Sequence, residues 1–192
     1  MDFKLPAEEH SGQPKMDEEI EKILYEADAI QGRIAELAAR ITEDYRGKEL
    51  TVVAVLTGAL IFTADLLRRI SLPLMLDCVS VASYHGGTET SGEVKFDQLS
   101  LPDIGGRHVL IVDDILDSGL TLDAIMGKFH RECGPLSVRI CVLLSKQRRR
   151  RKEIVADYVG FEIEDEFVVG YGMDYQERYR NLPFIGVLRG TD

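Results

Sequence analysis

Three runs, Thr51–Leu56, Val109–Val112 and Ser137–Ser145, are almost continuously apolar or β-branched. They lack the alternation of a half-exposed strand, and so predict strands buried on both faces. Further strands are expected over Leu74–Ala82 and Val94–Leu99. Between these runs the spacing turns helical. Ile30, Ile34, Leu37, Ala38 and Ile41 predict an amphipathic helix over Ala27–Asp44. A second helix is expected over Ala59–Ile70, ended before Pro73, with Thr57-Gly58 as the tight turn leading into it. Leu120, Ile125, Met126 and Phe129 can share one side of a third, which Gly134-Pro135 stops. Asp103–Arg107 reads as a turn. Strands alternating with helices imply right-handed parallel crossovers, hence an α/β fold with a doubly wound, mainly parallel sheet flanked by helices.

The ends of the chain break that rhythm. Tyr158–Ile163, Phe167–Gly170 and Phe184–Leu188 are short strand-like runs without a strong helix among them, and read as a small subdomain over the ligand edge of the sheet. Ile20, Ile23 and Leu24 could carry the stripe of the first helix backward, and periodicity alone does not settle this. Residues 1–18, with Pro6, Gly12, Pro14 and many charges, predict a flexible tail. Ser83–Gly92 is polar and glycine-rich and predicts a mobile loop.

Composition narrows the setting. A chain of 192 residues fits one domain with a substantial core. No apolar run reaches the ~18 residues that span a bilayer, so no membrane partner is expected. The acidic, polar start lacks the regions of a signal peptide. Cys78, Cys133 and Cys141 are an odd set without C-x-x-C spacing, which points to the cytoplasm, with Cys78 and Cys141 expected as buried thiols. A net charge of −10 argues against a broad nucleic-acid surface. The basic run Arg148–Lys152 has no interleaved aromatics and reads as a solvated loop. His10, His85, His108 and His130 show no ligand spacing.

The chemistry concentrates after Val112. Asp113, Asp114 and Asp117 precede Ser118, Gly119 and Thr121, so the segment reads as strand, acidic loop, helix. Ligands bind at such carboxyl ends of strands in open α/β sheets. Gly119 and the small hydroxyl residues let backbone N–H groups converge on an anion at a helix N-terminus. Asp113 and Asp114 suit ribose hydroxyls or a hydrated Mg²⁺. A sugar phosphate carrying a metal satisfies both demands. The stretch is neither a P-loop nor a dinucleotide-binding turn.

Val109–Thr121 resembles the phosphoribosyl-diphosphate (PRPP) signature of the type I phosphoribosyltransferases, most closely their hypoxanthine–guanine members. The resemblance extends over Ile20–Leu188. It implies a core of about 45–157 and a hood from about 19–26 and 158–192, together one domain over 19–192, with Ile23–Tyr25 extended. It implies that Thr57 and Gly58 hold pyrophosphate through backbone amides after a cis peptide, although many relatives carry Lys or Arg where this chain has Thr57. Ser83 and Tyr84 would open a lid that keeps water from an oxocarbenium-like ribose. Asp113 and Asp114 would bind the ribose hydroxyls, directly or through Mg²⁺, and Ser118, Gly119, Leu120 and Thr121 the 5′-phosphate. Asp117 would be the catalytic base at purine N7, and Lys146 the donor to the exocyclic O6. Phe167 would stack on the purine and the Val168 backbone would read its edge. Asp174 would bind a second Mg²⁺, and Arg180 would reach pyrophosphate. The implied activity is purine salvage from PRPP and a 6-oxopurine by a cytoplasmic homodimer or homotetramer. The alternative is a regulator of the same fold that binds nucleic acid and does little catalysis.

Overall fold

The computed structural model describes residues 19–83, 94–96, 101–147 and 151–189. The expected tail, Tyr84 with most of the expected lid, and Arg148–Arg150 lie outside these residues. Among the described residues nine strands and three helices follow in chain order: β1 (Ile20–Tyr25), α1 (Ala27–Asp44), β2 (Leu50–Leu56), α2 (Leu60–Leu67), β3 (Leu74–Ser83), β4 (Val94–Phe96), β5 (His108–Leu116), α3 (Leu120–Glu132), β6 (Ser137–Lys146), β7 (Tyr158–Ile163), β8 (Val168–Val169) and β9 (Ile185–Leu188).

The main sheet has the order β4-β3-β2-β5-β6-β7. Its five strands from β3 to β7 pair in parallel, and β4 adds an antiparallel edge. The unbroken apolar runs follow from burial of both faces. On one face Val52, Leu110, Val112 and Leu143 pack with Ile30, Ile34, Leu37 and Ile41 of α1 and Phe62 and Leu66 of α2. On the other, Val53, Val109, Ile111 and Val142 meet Leu122, Ile125 and Phe129 of α3. The buried stripe of α3 therefore runs through Leu122, whereas Leu120 and Met126 are only partly covered. Cys141 is buried, which pushes its thiol pKa up, but Cys78 is only partly covered, against expectation.

A second, three-stranded sheet has the order β1-β9-β8 and is antiparallel throughout. Ile20 pairs with Leu188, so the stripe before Ala27 is strand and not a continuation of α1. The run Tyr158–Ile163 also departs from expectation. It is β7, the parallel edge of the main sheet, in register with β6 from Cys141↔Tyr158 to Lys146↔Ile163. A helical crossover usually announces such a strand, and among the described residues between β6 and β7 there is none. α1 covers β7 instead, where the Arg33 guanidinium donates to the carbonyls of Gly160 at 2.6 Å and Val159 at 3.0 Å.

Two glycines give opposite expectations. Gly32 is an exposed position within α1 with nothing near an added Cβ, so G32A should raise stability by about 0.5–1 kcal/mol. An added Cβ at Gly160 would collide with the Leu143 carbonyl of the neighbouring strand, so G160A should lower stability by about 1–3 kcal/mol. Urea unfolding of both variants checks the pair of signs.

Candidate active site

The parallel register brings the carboxyl ends of β2, β5 and β6 together. β2 and β5 are paired from Leu50↔His108 to Ala54↔Val112, and β5 continues against β6 to Leu116↔Ser145. Asp113 and Asp114 consequently lie on the strand itself and not in a loop after it. The difference matters because a strand fixes alternate side chains to opposite faces. Asp113 is buried, and the Asp114 backbone N–H donates to its Oδ1 at 3.0 Å. Burial drives the Asp113 carboxyl well above the usual carboxylate range, with the Asp114 charge adding to the effect. Burial also raises Asp114, against hydrogen bonds from Asp113 and the local backbone and the charge of Arg180.

The Thr57-Gly58 turn is wedged against this acid pair. The Leu56–Thr57 peptide is cis, and Thr57 is exposed. An added Cβ at Gly58 would lie only 2.7 Å from Asp114 Cγ. From the other side comes Gly172, with φ +103, whose added Cβ would strike the Gly58 carbonyl oxygen. The Gly172 turn is fastened by Arg180, which donates from Nη1 to the Gly172 carbonyl at 2.9 Å and pairs through Nη2 with Asp174 at 2.8 Å. The other Asp174 oxygen accepts from the Glu177 backbone at 3.0 Å.

The turn expected to cradle a phosphate begins at Gly119, which caps α3 with φ +78. The first amides of α3 have no acceptor within the helix, and the Leu120 N–H donates to Ser118 Oγ at 3.4 Å. Lys152 and its neighbour fold back over the cradle. The Ser118 carbonyl accepts from the backbone N–H groups of both Arg151 and Lys152 at 3.1 Å, and the Lys152 ammonium lies 3.0 Å from Asp123. The described end of the basic run thus joins the wall of the cradle through its backbone.

The last group lies at the end of β6. Lys146 Nζ is 3.5 Å from Asp117 Oδ2 and 3.2 Å from Asp165 Oδ1, and the side chain is only 11% exposed. Phe167 is 41% exposed and meets the edge of Tyr175 at 5.5 Å, while Val168 is buried in β8. An outer network ties this wall to the helices. Tyr171 donates a short hydrogen bond to Asp65, and Gln31 Nε2 donates to Asp65 at 2.7 Å and to the Tyr171 hydroxyl at 3.2 Å. Burial would raise the Asp65 carboxyl, but the hydrogen bonds from Tyr171, Gln31 and Arg68 win and hold it below the usual range.

The phosphoribosyl transferase domain family matches residues 21–176. A hypoxanthine-guanine phosphoribosyltransferase of Bacillus subtilis (strain 168) is 46% identical over 174 residues, spanning 91% of this chain and 96% of the relative. One from Streptococcus pneumoniae (strain ATCC BAA-255 / R6) is 45% identical with the same coverage. The crystal structure of a hypoxanthine phosphoribosyltransferase from Staphylococcus aureus superposes with a TM-score of 0.85 at 44% identity, covering 91% of this chain and 94% of that one. The chain belongs to the hypoxanthine–guanine phosphoribosyltransferase family.

Within that family frame, the residues expected from sequence fall into three groups. Thr57, Gly58, Asp114, Asp174 and Arg180 converge around the Gly58–Gly172 contact. Ser118, Gly119, Leu120 and Thr121 lie together at the turn that opens α3. Asp117 and Lys146 adjoin at the third. Of the expected lid, Ser83 ends β3, and Tyr84 is beyond the described residues. Asp165, Gly172, Tyr175 and the Gln31–Asp65–Tyr171 network were not singled out from sequence. Only Gly172, flanked by Tyr171 in a Gly-Tyr-Gly run, carries a local signal, that of a turn requiring positive φ. The others acquire meaning only through partners distant in the chain.

Two outcomes follow from this geometry. G58A should fold but lose about 100-fold in phosphoribosyl transfer, because the turn cannot approach Asp114; steady-state kinetics beside circular dichroism checks this. Asp65 has a lowered folded pKa, so it adds stability above its unfolded value near ~4 and loses it as pH falls through the folded value. D65N should therefore flatten the acid limb of stability below about pH 4, measured by urea unfolding as the pH is lowered.

Proposed function

We propose that the protein transfers the 5-phosphoribosyl group of PRPP to N9 of hypoxanthine or guanine, giving IMP or GMP and pyrophosphate. The observation that carries the reading is the juxtaposition of Lys146 and Asp117, 3.5 Å apart at the end of the sheet. A 6-oxopurine presents O6 and N7 side by side on one edge. An ammonium beside a carboxylate complements that edge, donating to O6 and accepting the proton from N7 as N9 attacks C1 of the ribose. A 6-amino base would set a donor against the ammonium, which is a strong basis for rejection. Phe167 presents an exposed ring for the base to stack on, and the Val168 backbone reads its edge.

The amides of Ser118, Gly119, Leu120 and Thr121 take the 5′-phosphate, as a helix N-terminus favours. The Thr57-Gly58 turn and Arg180 receive the pyrophosphate, with Thr57 contributing backbone and no charge. Asp113 and Asp114 take the ribose hydroxyls. Their oxygens also fit Mg²⁺, since this ion is held by one or two carboxylates together with substrate oxygens and water. Asp174 is the candidate for a second ion, within reach of Arg180. Mg²⁺ so held supplies neutralisation of the charge that develops on the pyrophosphate. The β1-β9-β8 sheet forms the hood, and the segment opened by Ser83 and Tyr84 the lid that excludes water. Three free thiols suit the cytosol, and a homodimer or homotetramer is the assembly the family resemblance implies. The acid-rich composition, with net charge −10, speaks against the nucleic-acid-binding alternative.

A spectrophotometric assay with PRPP, Mg²⁺ and each of hypoxanthine, guanine, xanthine and adenine tests the reading. Turnover of the first two, abolished by a chelator, is expected, and efficient use of adenine would overturn the role of Lys146. D117N should lower kcat by about 10²–10⁴-fold while PRPP binding stays within a few-fold. An equal loss in both would make Asp117 a substrate-positioning group.

A further inference from the structure

Lys146 has a second anion beside it that the reaction as proposed does not use. Its ammonium lies closer to Asp165, at 3.2 Å with a hydrogen bond, than to Asp117, at 3.5 Å. A lysine ammonium is a point charge on a flexible four-carbon stem with three N–H donors. A charge on each side limits where such a head group can point. Asp117 attracts it from the β5 side as an ion pair at 3.5 Å. Asp165 accepts a hydrogen bond from it on the opposite side, which fixes its direction and leaves donors for a ligand oxygen.

The backbone places Asp165 there by construction. The β6–β7 register ends at Lys146↔Ile163, and the Gln147 N–H donates to the Ile163 carbonyl at 2.8 Å, so the chain leaving β7 starts level with Lys146. It then makes a tight turn in which the Glu166 N–H donates to the Glu164 carbonyl at 2.9 Å, with Asp165 at its apex. Two residues later come Phe167 and β8. The same short segment thus carries the stacking ring and the anchor of the ammonium. Glu166, the intervening carboxylate, is directed elsewhere, to Lys22 at 2.6 Å. The reaction adds a reason for a second carboxylate. When Asp117 takes the N7 proton it is neutralised, and among the described residues Asp165 then remains as the charged partner of Lys146.

We propose that Asp165 is a positioning residue that holds Lys146 aimed at the 6-position of the purine, and so sets the preference for a 6-oxo over a 6-amino base. The inference rests on the base pocket proposed above. Without Asp165 the ammonium remains near the pocket but can swing aside. It then donates less well to an oxo group and opposes an amino group less. The contact to O6 is weakened, while the phosphate cradle is untouched.

The test is isothermal titration of IMP and AMP, without metal, into the full chain and its D165N, D165A and D165E forms. AMP shares the ribose phosphate and the stacking ring of IMP and differs at the 6-position and N1, so it reports the site without the contact to an oxo group. D165N and D165A should weaken IMP about tenfold while AMP holds or tightens by up to a few-fold, with D165E recovering part of the IMP loss. In the assay, the hypoxanthine KM of D165N should rise about tenfold with kcat within threefold, a split that general destabilisation does not produce. The Asp165 side chain is 49% exposed, so thermal unfolding of D165N should stay close to that of the parent. IMP affinity within twofold of the parent in both D165N and D165A overturns the proposal. A parent chain that binds IMP no better than AMP overturns the base-pocket reading itself, and K146A separates the two failures, since it must weaken IMP if only the role of Asp165 is wrong.

Discussion

The site is built on a contact between two backbones with no side chain between them. Gly58 abuts the Asp114 carboxylate, and Gly172 abuts the Gly58 carbonyl. A single Cβ at either glycine would push apart the end of β2, the acid pair on β5 and the turn carrying Asp174 and Arg180. Close-packed interiors transmit such displacements over their neighbours instead of absorbing them. Much of the remaining architecture serves to hold this approach. The Arg180 guanidinium fastens the Gly172 turn from within, and the Gln31–Asp65–Tyr171 network fastens it to α1 and α2 from behind.

Electrostatics impose the second demand. The chain carries net charge −10, yet it handles a substrate with phosphates at both ends. The conflict is resolved locally. Backbone amides at the start of α3 and the Thr57-Gly58 turn offer partial positive charge without a mobile cation. Asp113 and Asp114 are crowded on one strand with their pKa values raised by burial, and in the proposed function a divalent cation would offset that crowding. The positive side chains Arg180 and Lys146 are each held between carboxylates, which limits where they can point.

The two sheets divide the labour. The parallel sheet, buried on both faces, gives rigid strand ends from which Asp113, Asp114, Asp117 and Lys146 project. The small antiparallel sheet brings Phe167 and Val168 alongside, and its core of Ile20, Val169, Tyr179, Leu182 and Leu188 is separate from the main ones. Tyr171, Met173, Ile185 and Val187 reach into the main core from this side, so the hood is attached by apolar packing as well as by hydrogen bonds.

Sequence by itself determined whatever depends on neighbours along the chain. The unalternating runs became β2, β5 and β6, the 3.6-residue stripe became α1 with the expected bounds, and the ordered motif around Asp113–Thr121 indicated the family. These signals are local because burial on both faces, helical periodicity and a glycine-capped anion turn each leave a mark within about a dozen residues. Tertiary structure decided the rest. Whether Ile20–Tyr25 was helix or strand depended on β9 at the other end of the chain, and Tyr158–Ile163 joined the main sheet because β6 offered a parallel edge that α1 could cover. The acid pair proved to lie on the strand because β6 extends its pairing to Leu116, and Lys146 proved enclosed because Asp117 and Asp165 close on it from two different loops. Pairing partners and ion-pair partners far apart in the chain leave no local period to read, since their energy arises only once the fold has brought them together.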